Sequence, residues 1–311
     1  MQAKVLVNTL SMNHEEWLDQ RSKGIGGSDA AAIAGLNPWK SPIGVYLDKT
    51  GQAESLNDNE RMRIGRDLED YVAQRFVEET GLKVRRRNAI LQHPEYDFML
   101  ANIDRDIVGV KEGLECKTTN SYSKKDWEED KIPIHYEIQC HHYMAVTGYD
   151  AWWIAVLIGN EKFVYKKIMR DEDVINHLMS IEKDFWLNNV ISLEIPAPDG
   201  SKDADNILRE MHQISNPKSS INLEGCEFIS KLERLDELKE MLKKLETEKK
   251  QIEQEFQLEM GENELALVED RKITWKTTKS NRFDSKKFKV DHPELYKEYA
   301  KESISRRFSI K

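Results

Sequence analysis

Apolar residues recur along this chain with two different periods, and the changes of period mark out its elements. Over residues 57–81, Ile64, Leu68, Val72 and Phe76 follow one another at intervals of four, which is one face of a helix. From Gly113 to Thr119 the pattern becomes alternating. Leu114, Cys116 and Thr118 fall on one face of a predicted strand, and Glu115 and Lys117 on the other. A turn over 108–113 would fold this strand back on the segment that follows Asp104, bringing Asp104 beside Glu115. Residues 134–146 predict a second helix, with Gln139 and Tyr143 four apart on a shared face. Strands are expected over 151–158 and 162–169, joined at Gly159-Asn160 in a hairpin, and a helix over 171–187.

Capping chemistry supplies the N-terminal elements. Residues 17–21 predict a helix with Asn13 as its N-cap and Glu16 three residues on, a capping-box spacing. A glycine-rich turn at 24–27 opens another helix, for which Ser28 is the expected N-cap. Arg21 precedes Ser28 by seven residues, and a helix start with a neighbouring arginine suits an anion. The order of helices, central strands, helix, strands and helix predicts an α/β fold with a mixed central sheet flanked by helices.

Beyond this core the punctuation changes. Pro196, Pro198, Gly200 and Pro217 mark a connector over 193–228, with a short helix near 204–212. Residues 229–260 predict one long helix. Leu235, Leu238, Leu242, Leu245, Ile252 and Phe256 keep a 3-4 spacing along it, with Lys249 breaking one position. Such a stripe fits a coiled-coil or helix-pair seam, or a helix laid back on its own core. A hairpin around Glu269-Asp270-Arg271, a basic segment over 281–289 and a helix over 293–302 complete the chain. The expected division is a core at 1–192, the connector at 193–228, the long helix at 229–260 and a basic region at 261–311.

Composition narrows the classes. With 311 residues, 39% of them hydrophobic, the chain can bury one sizeable core and carry an appendage. The longest apolar stretch, at 151–158, is too short to span a bilayer. Met1-Gln2-Ala3-Lys4 starts no apolar leader. A cytosolic chain without membrane association is expected. Cys116, Cys140 and Cys226 are scattered and odd in number, which argues against a disulfide framework and against an iron–sulfur cluster with four cysteine ligands. The net charge of −9 is unevenly spread: residues 271–311 hold thirteen Lys and Arg against five Asp and Glu. Basic residues interleaved there with Phe283, Phe288 and Tyr296 suit a nucleic-acid backbone or a partner surface. Lys83, Arg85, Arg86 and Arg87 fit either backbone contact or a charged edge strand that resists pairing.

The chemistry sits in the middle of the chain. Two carboxylates, Asp104 and Glu115, with Lys117 on the face of Glu115, make a set that holds a hard divalent cation such as Mg²⁺. Such a cation polarises a phosphodiester and acidifies a bound water, while the lysine positions and deprotonates that water and offsets developing charge. Glu69, four residues after Gly65 on the first long helix, is either a third acid for the site or a solvated side chain. Gly65 itself suggests that something packs close.

In combination, Arg21 and Ser28, Gly65 and Glu69, Asp104, Glu115-Cys116-Lys117, and Gln139 and Tyr143 resemble the YqaJ-type viral recombinase family. These are lambda-exonuclease-like members of the PD-(D/E)XK nuclease superfamily, and the resemblance covers roughly residues 10–200. Ile103 stands where the superfamily often has the proline of its name. The resemblance implies a PD-(D/E)XK nuclease core extended by the C-terminal long helix. It implies a Mg²⁺-dependent exonuclease, with Mn²⁺ able to substitute, that degrades one strand of linear duplex DNA from its 5′ end. Asp104 and Glu115 would bind metal with the Cys116 carbonyl, Lys117 would be the catalytic lysine, and Glu69 and Gln139 would support metal, water or DNA. Arg21 and Ser28 would hold the 5′-phosphate, and Tyr143 would contact DNA beside Gln139. The resemblance also implies a single-strand annealing partner and a homo-oligomer, in several relatives a trimeric ring. Two alternatives are an endonuclease of the same fold, restriction- or repair-like, and a non-catalytic DNA-end-binding module.

Overall fold

A computed structural model describes residues 3–53, 59–302 and 304–310. It contains two compact units, Met1–His212 and Gln213–Lys311. In chain order the first unit runs β1 (Lys4–Asn8), α1 (His14–Ser22), α2 (Gly27–Ile33), α3 (Pro42–Lys49), α4 (Glu60–Thr80), β2 (Val84–Arg86), β3 (Ala89–Gln92), β4 (Leu100–Asn102) and β5 (Arg105–Ile107). It continues with β6 (Glu112–Thr119), α5 (Ile134–Thr147), β7 (Ala151–Ile158), β8 (Lys162–Met169), α6 (Glu172–Phe185) and α7 (Lys202–Met211).

The main sheet has the order β2-β5-β6-β7-β8. Only β6 and β7 run parallel, over eight residue pairs that include Glu115↔Ile154 and Lys117↔Val156. A parallel pair needs a long crossover, and α5 is the helix within it. The return strand forms as the alternation predicts: β5 and β6 are antiparallel, with Arg105 opposite Leu114 and Asp106 opposite Gly113. The β7–β8 hairpin turns at Gly159-Asn160. A second, antiparallel sheet, β1-β3-β4, was not legible in the periodicity because its strands are only three to five residues long.

Apolar cores form on both faces of the main sheet. On one face Val72, Ala73 and Phe76 of α4 pack with Ile107, Leu114 and Ala155. On the other, Ile154, Val156 and Ile158 join Tyr143 and Met144 of α5 and Ile25 and Ala32 near α2. The 3.6 period over 57–81 thus becomes α4, capped by Asn59 and ended by Gly81 at φ 72°. Positions 57 and 58 of that expectation lie outside the described residues. Gly65 is not forced by the sheet: an added Cβ would meet only Thr118 Oγ1, at 3.8 Å.

The first compact unit runs to His212, and Asp203 of α7 accepts bonds from the Ser41 amide (2.8 Å) and hydroxyl (2.7 Å) at the start of α3. One expectation shifts. Ser28 is not the N-cap of α2. Gly26 holds that position, and its amide donates to Asp29 Oδ2 at 3.1 Å. The arginine run forms an edge strand with protein partners, Arg85 and Arg87 on Asp106 and Arg86 on Asp70. Among the described residues no helix is long and apolar enough to cross a membrane.

The second unit is built on α8 (Cys226–Met260), followed by the hairpin β9 (Leu265–Val268) and β10 (Arg271–Thr274), then α9 (Ser285–Asp291) and α10 (Pro293–Tyr299). Phe283 and Phe288 pack ring to ring at 4.9 Å, and Lys289 lies over Tyr296 at 5.1 Å. The predicted hairpin and helices are present with shifted ends.

One buried ion pair ties α5 to α6. His142 Nδ1 lies 2.8 Å from Glu182 Oε1, and its Nε2 lies 2.8 Å from the Leu100 carbonyl. Both side chains are fully buried. Burial alone would lower the imidazole pKa, but the Glu182 carboxylate outweighs it and raises it above its ordinary 6.5. Removing one partner of such a pair costs about 3 kcal/mol or more. Glu182→Gln is therefore expected to lower unfolding stability in urea by about that amount near pH 6. A histidine raised in the folded state stabilises fully below its unfolded pKa and loses that contribution as pH rises through the folded value. The gap between wild type and Glu182→Gln should narrow with rising pH, and a gap that widens would contradict the charged pair.

Candidate active site

Strand β6 carries Glu115 and Lys117 on the face covered by α5. Glu115 is 3% exposed. Its Oε1 lies 2.5 Å from Lys117 Nζ and accepts from Gln139 Nε2 at 2.7 Å. Gln139 also donates to the Tyr143 hydroxyl at 2.9 Å. The i, i+4 pair on α5 is thus a single clamp on the glutamate. Glu115 Oε2 is buried without a hydrogen-bond partner among the described residues.

Asp104 stands in the bend between β4 and β5 and is half-buried. Its Oδ2 accepts the Cys116 amide at 2.8 Å, which pins the carboxylate to the backbone just after Glu115. Burial and then the nearby Glu115 hold the Asp104 pKa well above the usual carboxylate range. Burial raises Glu115 as well, with Lys117 pulling against it. For Lys117, burial is outweighed by Glu115 and then Asp104, so its ammonium is held more firmly than usual. The ammonium also lies 5.1 Å from the Tyr136 ring centroid. Next to it, burial and then the Lys117 charge bring His135 down to about 4, leaving a neutral imidazole whose Nε2 has no hydrogen-bond partner among the described residues.

Glu69 takes a different place from the carboxylate pair. Arg105 Nη1 donates to Glu69 Oε1 at 2.6 Å, and Arg105 also pairs with Asp70. Glu69 still adds negative field at Asp104, but its carboxylate is held by the guanidinium. Sequence reasoning missed Arg105. It adjoins Asp104, yet nothing local shows that it reaches a helix more than thirty residues earlier.

Arg21 and Ser28 do meet: Arg21 Nη2 donates to Ser28 Oγ at 3.0 Å, with the guanidinium 4.6 Å from the Trp17 ring centroid. Below them lies a charge cluster absent from the sequence reading. Asp29, 2% exposed, sits 2.6 Å from Lys49 and 3.3 Å from Lys40. Burial would raise its carboxyl pKa, but Lys49, Lys40 and Arg21 together drive it far below the usual range. Gly27 joins this region to the catalytic candidates. A Cβ there would fall 2.6 Å from the Tyr143 ring and 3.0 Å from Gln139 Cγ. Only glycine lets α2 lie against the clamp.

Among the described residues, no group of three or more His, Cys, Asp or Glu side chains is arranged to hold a metal ion. The donor set nonetheless fits a hard cation. Two carboxylates share a buried site, one oxygen is unsatisfied, and Mg²⁺ uses one or two carboxylates while keeping waters. Chelator-treated chain should therefore gain unfolding stability on adding Mg²⁺, by about 2.7 kcal/mol at a hundredfold excess over the dissociation constant. Glu115→Gln should abolish the gain. An equal response in wild type and variant would show that the unsatisfied oxygen is not a cation ligand.

Comparison with known proteins places this geometry in a family. Residues 16–150 match the YqaJ-like viral recombinase domain. Along nearly its whole length the chain is similar to the uncharacterized protein YqaJ of Bacillus subtilis (strain 168), at 42% identity over 312 residues covering 99% of this chain and 98% of that one. The fold is similar to that of an alkaline exonuclease, LHK-Exo, from Laribacter hongkongensis. The TM-score is 0.50 at 18% identity, covering 65% of this chain and 100% of the other, with the same figures for LHK-Exo in complex with dAMP. An α/β core with a mixed sheet, the β6 site and near full-length similarity to YqaJ converge on one conclusion: the chain belongs to the YqaJ-like viral recombinase family.

Proposed function

We propose that this protein is a divalent-metal-dependent exonuclease that degrades one strand of linear double-stranded DNA from its 5′ end. It leaves a 3′ single strand for an annealing partner. The observation that carries the proposal is the buried Glu115, with Lys117 and Gln139 on one oxygen and no hydrogen-bond partner among the described residues on the other. Family membership supports it, as does the fold shared with a protein described as an alkaline exonuclease and solved with dAMP.

Asp104 and Glu115 would hold Mg²⁺ with the Cys116 carbonyl, and Mn²⁺ would serve in its place. The ion supplies Lewis-acid polarisation of the phosphate and a more acidic water. Every other task falls to side chains. Lys117, kept protonated by Glu115 and Asp104, presents a cation to the scissile phosphate and stabilises charge that develops there. As a base it would first have to release a proton that its neighbours hold tightly, so its resting role is charge stabilisation and orientation. Gln139 fixes the Glu115 carboxylate by one bond and is itself fixed by Tyr143. Glu69 acts through its field at Asp104. Arg21 and Ser28 offer a guanidinium and a hydroxyl to the 5′-phosphate, and Asp29 with Lys40 and Lys49 holds the start of α2 beneath them.

End-labelled linear duplex and a covalently closed circle, each incubated with Mg²⁺, test the proposal. The linear duplex should shorten from its 5′-phosphorylated end while the circle survives. Lys117→Ala should lose about a thousandfold in rate. Arg21→Ala should slow 5′-phosphorylated ends and leave 5′-hydroxyl ends nearly unchanged. Cutting of the circle would make the protein an endonuclease, and ends bound but never shortened would make it a binding module.

A further inference from the structure

We infer that α8 pairs with the α8 of a second copy of this chain, as an antiparallel two-stranded coiled coil. The inference is independent of the nuclease chemistry and rests on the second unit alone.

At about 1.5 Å per residue, the 35-residue α8 is about 52 Å long. Within its own unit, no other element among the described residues packs extensively along it. Yet it carries an apolar seam. Phe228, Leu235, Leu242, Lys249 and Phe256 are spaced by seven, and so, offset by three, are Lys231, Leu238, Leu245, Ile252 and Glu259, which leaves the apolar stretch of the seam between Leu235 and Phe256. These are the a and d positions of successive heptads. Among them, Leu238 is 40% exposed and Leu245 62%. A lone helix gains little from propensity and most from packing its apolar face, so this stripe lacks its counterpart.

Charge decides what the counterpart is. The e and g positions flank the seam and set partner choice and orientation. In α8 they are segregated by sign. Apart from Glu227 at the N-terminal end, the first half carries Arg234 and Lys239, and the second half Glu246, Glu248, Glu253 and Glu255. In a parallel homodimer each g residue faces the e residue five positions on in the other helix. That arrangement sets Arg234 against Lys239 and Glu248 against Glu253, like charges in both cases. Reversing one helix puts the basic half of each copy against the acidic half of the other. With Leu242 of one copy layered on Leu245 of the other, Leu235 meets Ile252, Arg234 meets Glu255 and Lys239 meets Glu246. Two-fold symmetry repeats every pair. Sliding the helices by one heptad sets Glu248 against its own copy in one direction and Lys239 against its own copy in the other. The complementary register is therefore singled out by charge. Lys249 falls opposite Leu238, a single polar a position of the kind that fixes register at some cost in stability. In the isolated chain, Arg234, Lys239 and Lys249 turn to Glu237, Asp236 and Glu253 of their own helix. These exposed pairs are weak and exchangeable.

The test uses the full-length chain. Sedimentation equilibrium at tens of micromolar should give an even multiple of the 36.3 kDa chain mass. Leu242→Glu combined with Leu245→Glu should halve that mass, with association weakened about a hundredfold. Orientation is read by oxidation, with the exposed Cys226 first changed to Ser. Leu235→Cys mixed with Ile252→Cys should form an interchain disulfide, and neither variant alone should do so. A chain that is monomeric throughout, an odd multiple of the chain mass, or a mass indifferent to the double substitution would overturn the inference. Disulfides formed by each single variant alone would also overturn it, because they report a parallel pair. Should the double variant fail to fold, the disulfide outcome still decides.

Discussion

A carboxylate held inside a sheet, with one oxygen occupied and the other bare, is the constraint around which the first unit is arranged. Glu115 can be 3% exposed only because Lys117 and Gln139 meet its Oε1. Each of those contacts needs a larger element in place. Lys117 shares the face of Glu115 because β6 is extended and central, flanked by β5 and β7. Gln139 reaches the carboxylate because a parallel β6–β7 pair demands a crossover, and the crossover helix lies on that face. Gly27 then lets α2 approach α5, which brings the Arg21–Ser28 pair into the neighbourhood of the clamp.

The acids of this region separate into two groups by their cation partners. Asp104 and Glu115 share one ammonium, that of Lys117, and burial raises both, with the Glu115 charge adding to the rise at Asp104. Glu69 and Asp70 share the Arg105 guanidinium. A bidentate, permanently charged arginine is a poor group to displace, whereas the unsatisfied Glu115 oxygen is free to take a ligand. The contrast explains why three carboxylates at neighbouring places in the fold do not form one equivalent triad. It also gives Arg105 a function that its neighbour Asp104 obscures: it keeps Glu69 near enough to exert field but not to crowd the pair.

Much of this was legible in residue spacing. The alternation over 113–119 determined which side chains share a face, and the eleven-residue interval from Asp104 permitted one antiparallel return. The 3.6 period gave α4, α5 and the long helix, and the Asn13–Glu16 box gave the start of α1. What remained hidden depends on long-range contact. The strands of the β1-β3-β4 sheet are too short to show a period. Asp29 looks like a solvated helix residue until Lys40 and Lys49 arrive from the following loop and helix. The cap of α2 was misplaced because Ser28 is the better capping residue by type, yet Asp29 at the third position supplies the bond to Gly26 and leaves the Ser28 hydroxyl to Arg21. Nor does spacing show that Asp203 binds back to Ser41 across 162 residues of chain.

Charge behaves differently in the two units. In the first, arginines are neutralised where they stand: Arg85, Arg86, Arg87 and Arg105 all meet Asp106, Asp70 or Glu69. A basic run there serves a strand edge and a buried acid, and its presence in the sequence says little about affinity for a polyanion. In the second unit charges also pair along α8, but at the e and g positions from Arg234 to Glu255 the two signs fall in separate halves of the helix. Local pairing neutralises charge within a domain, while segregation leaves a pattern that only a second, oppositely oriented pattern can complete. The helix that satisfies this condition most simply is its own copy, reversed.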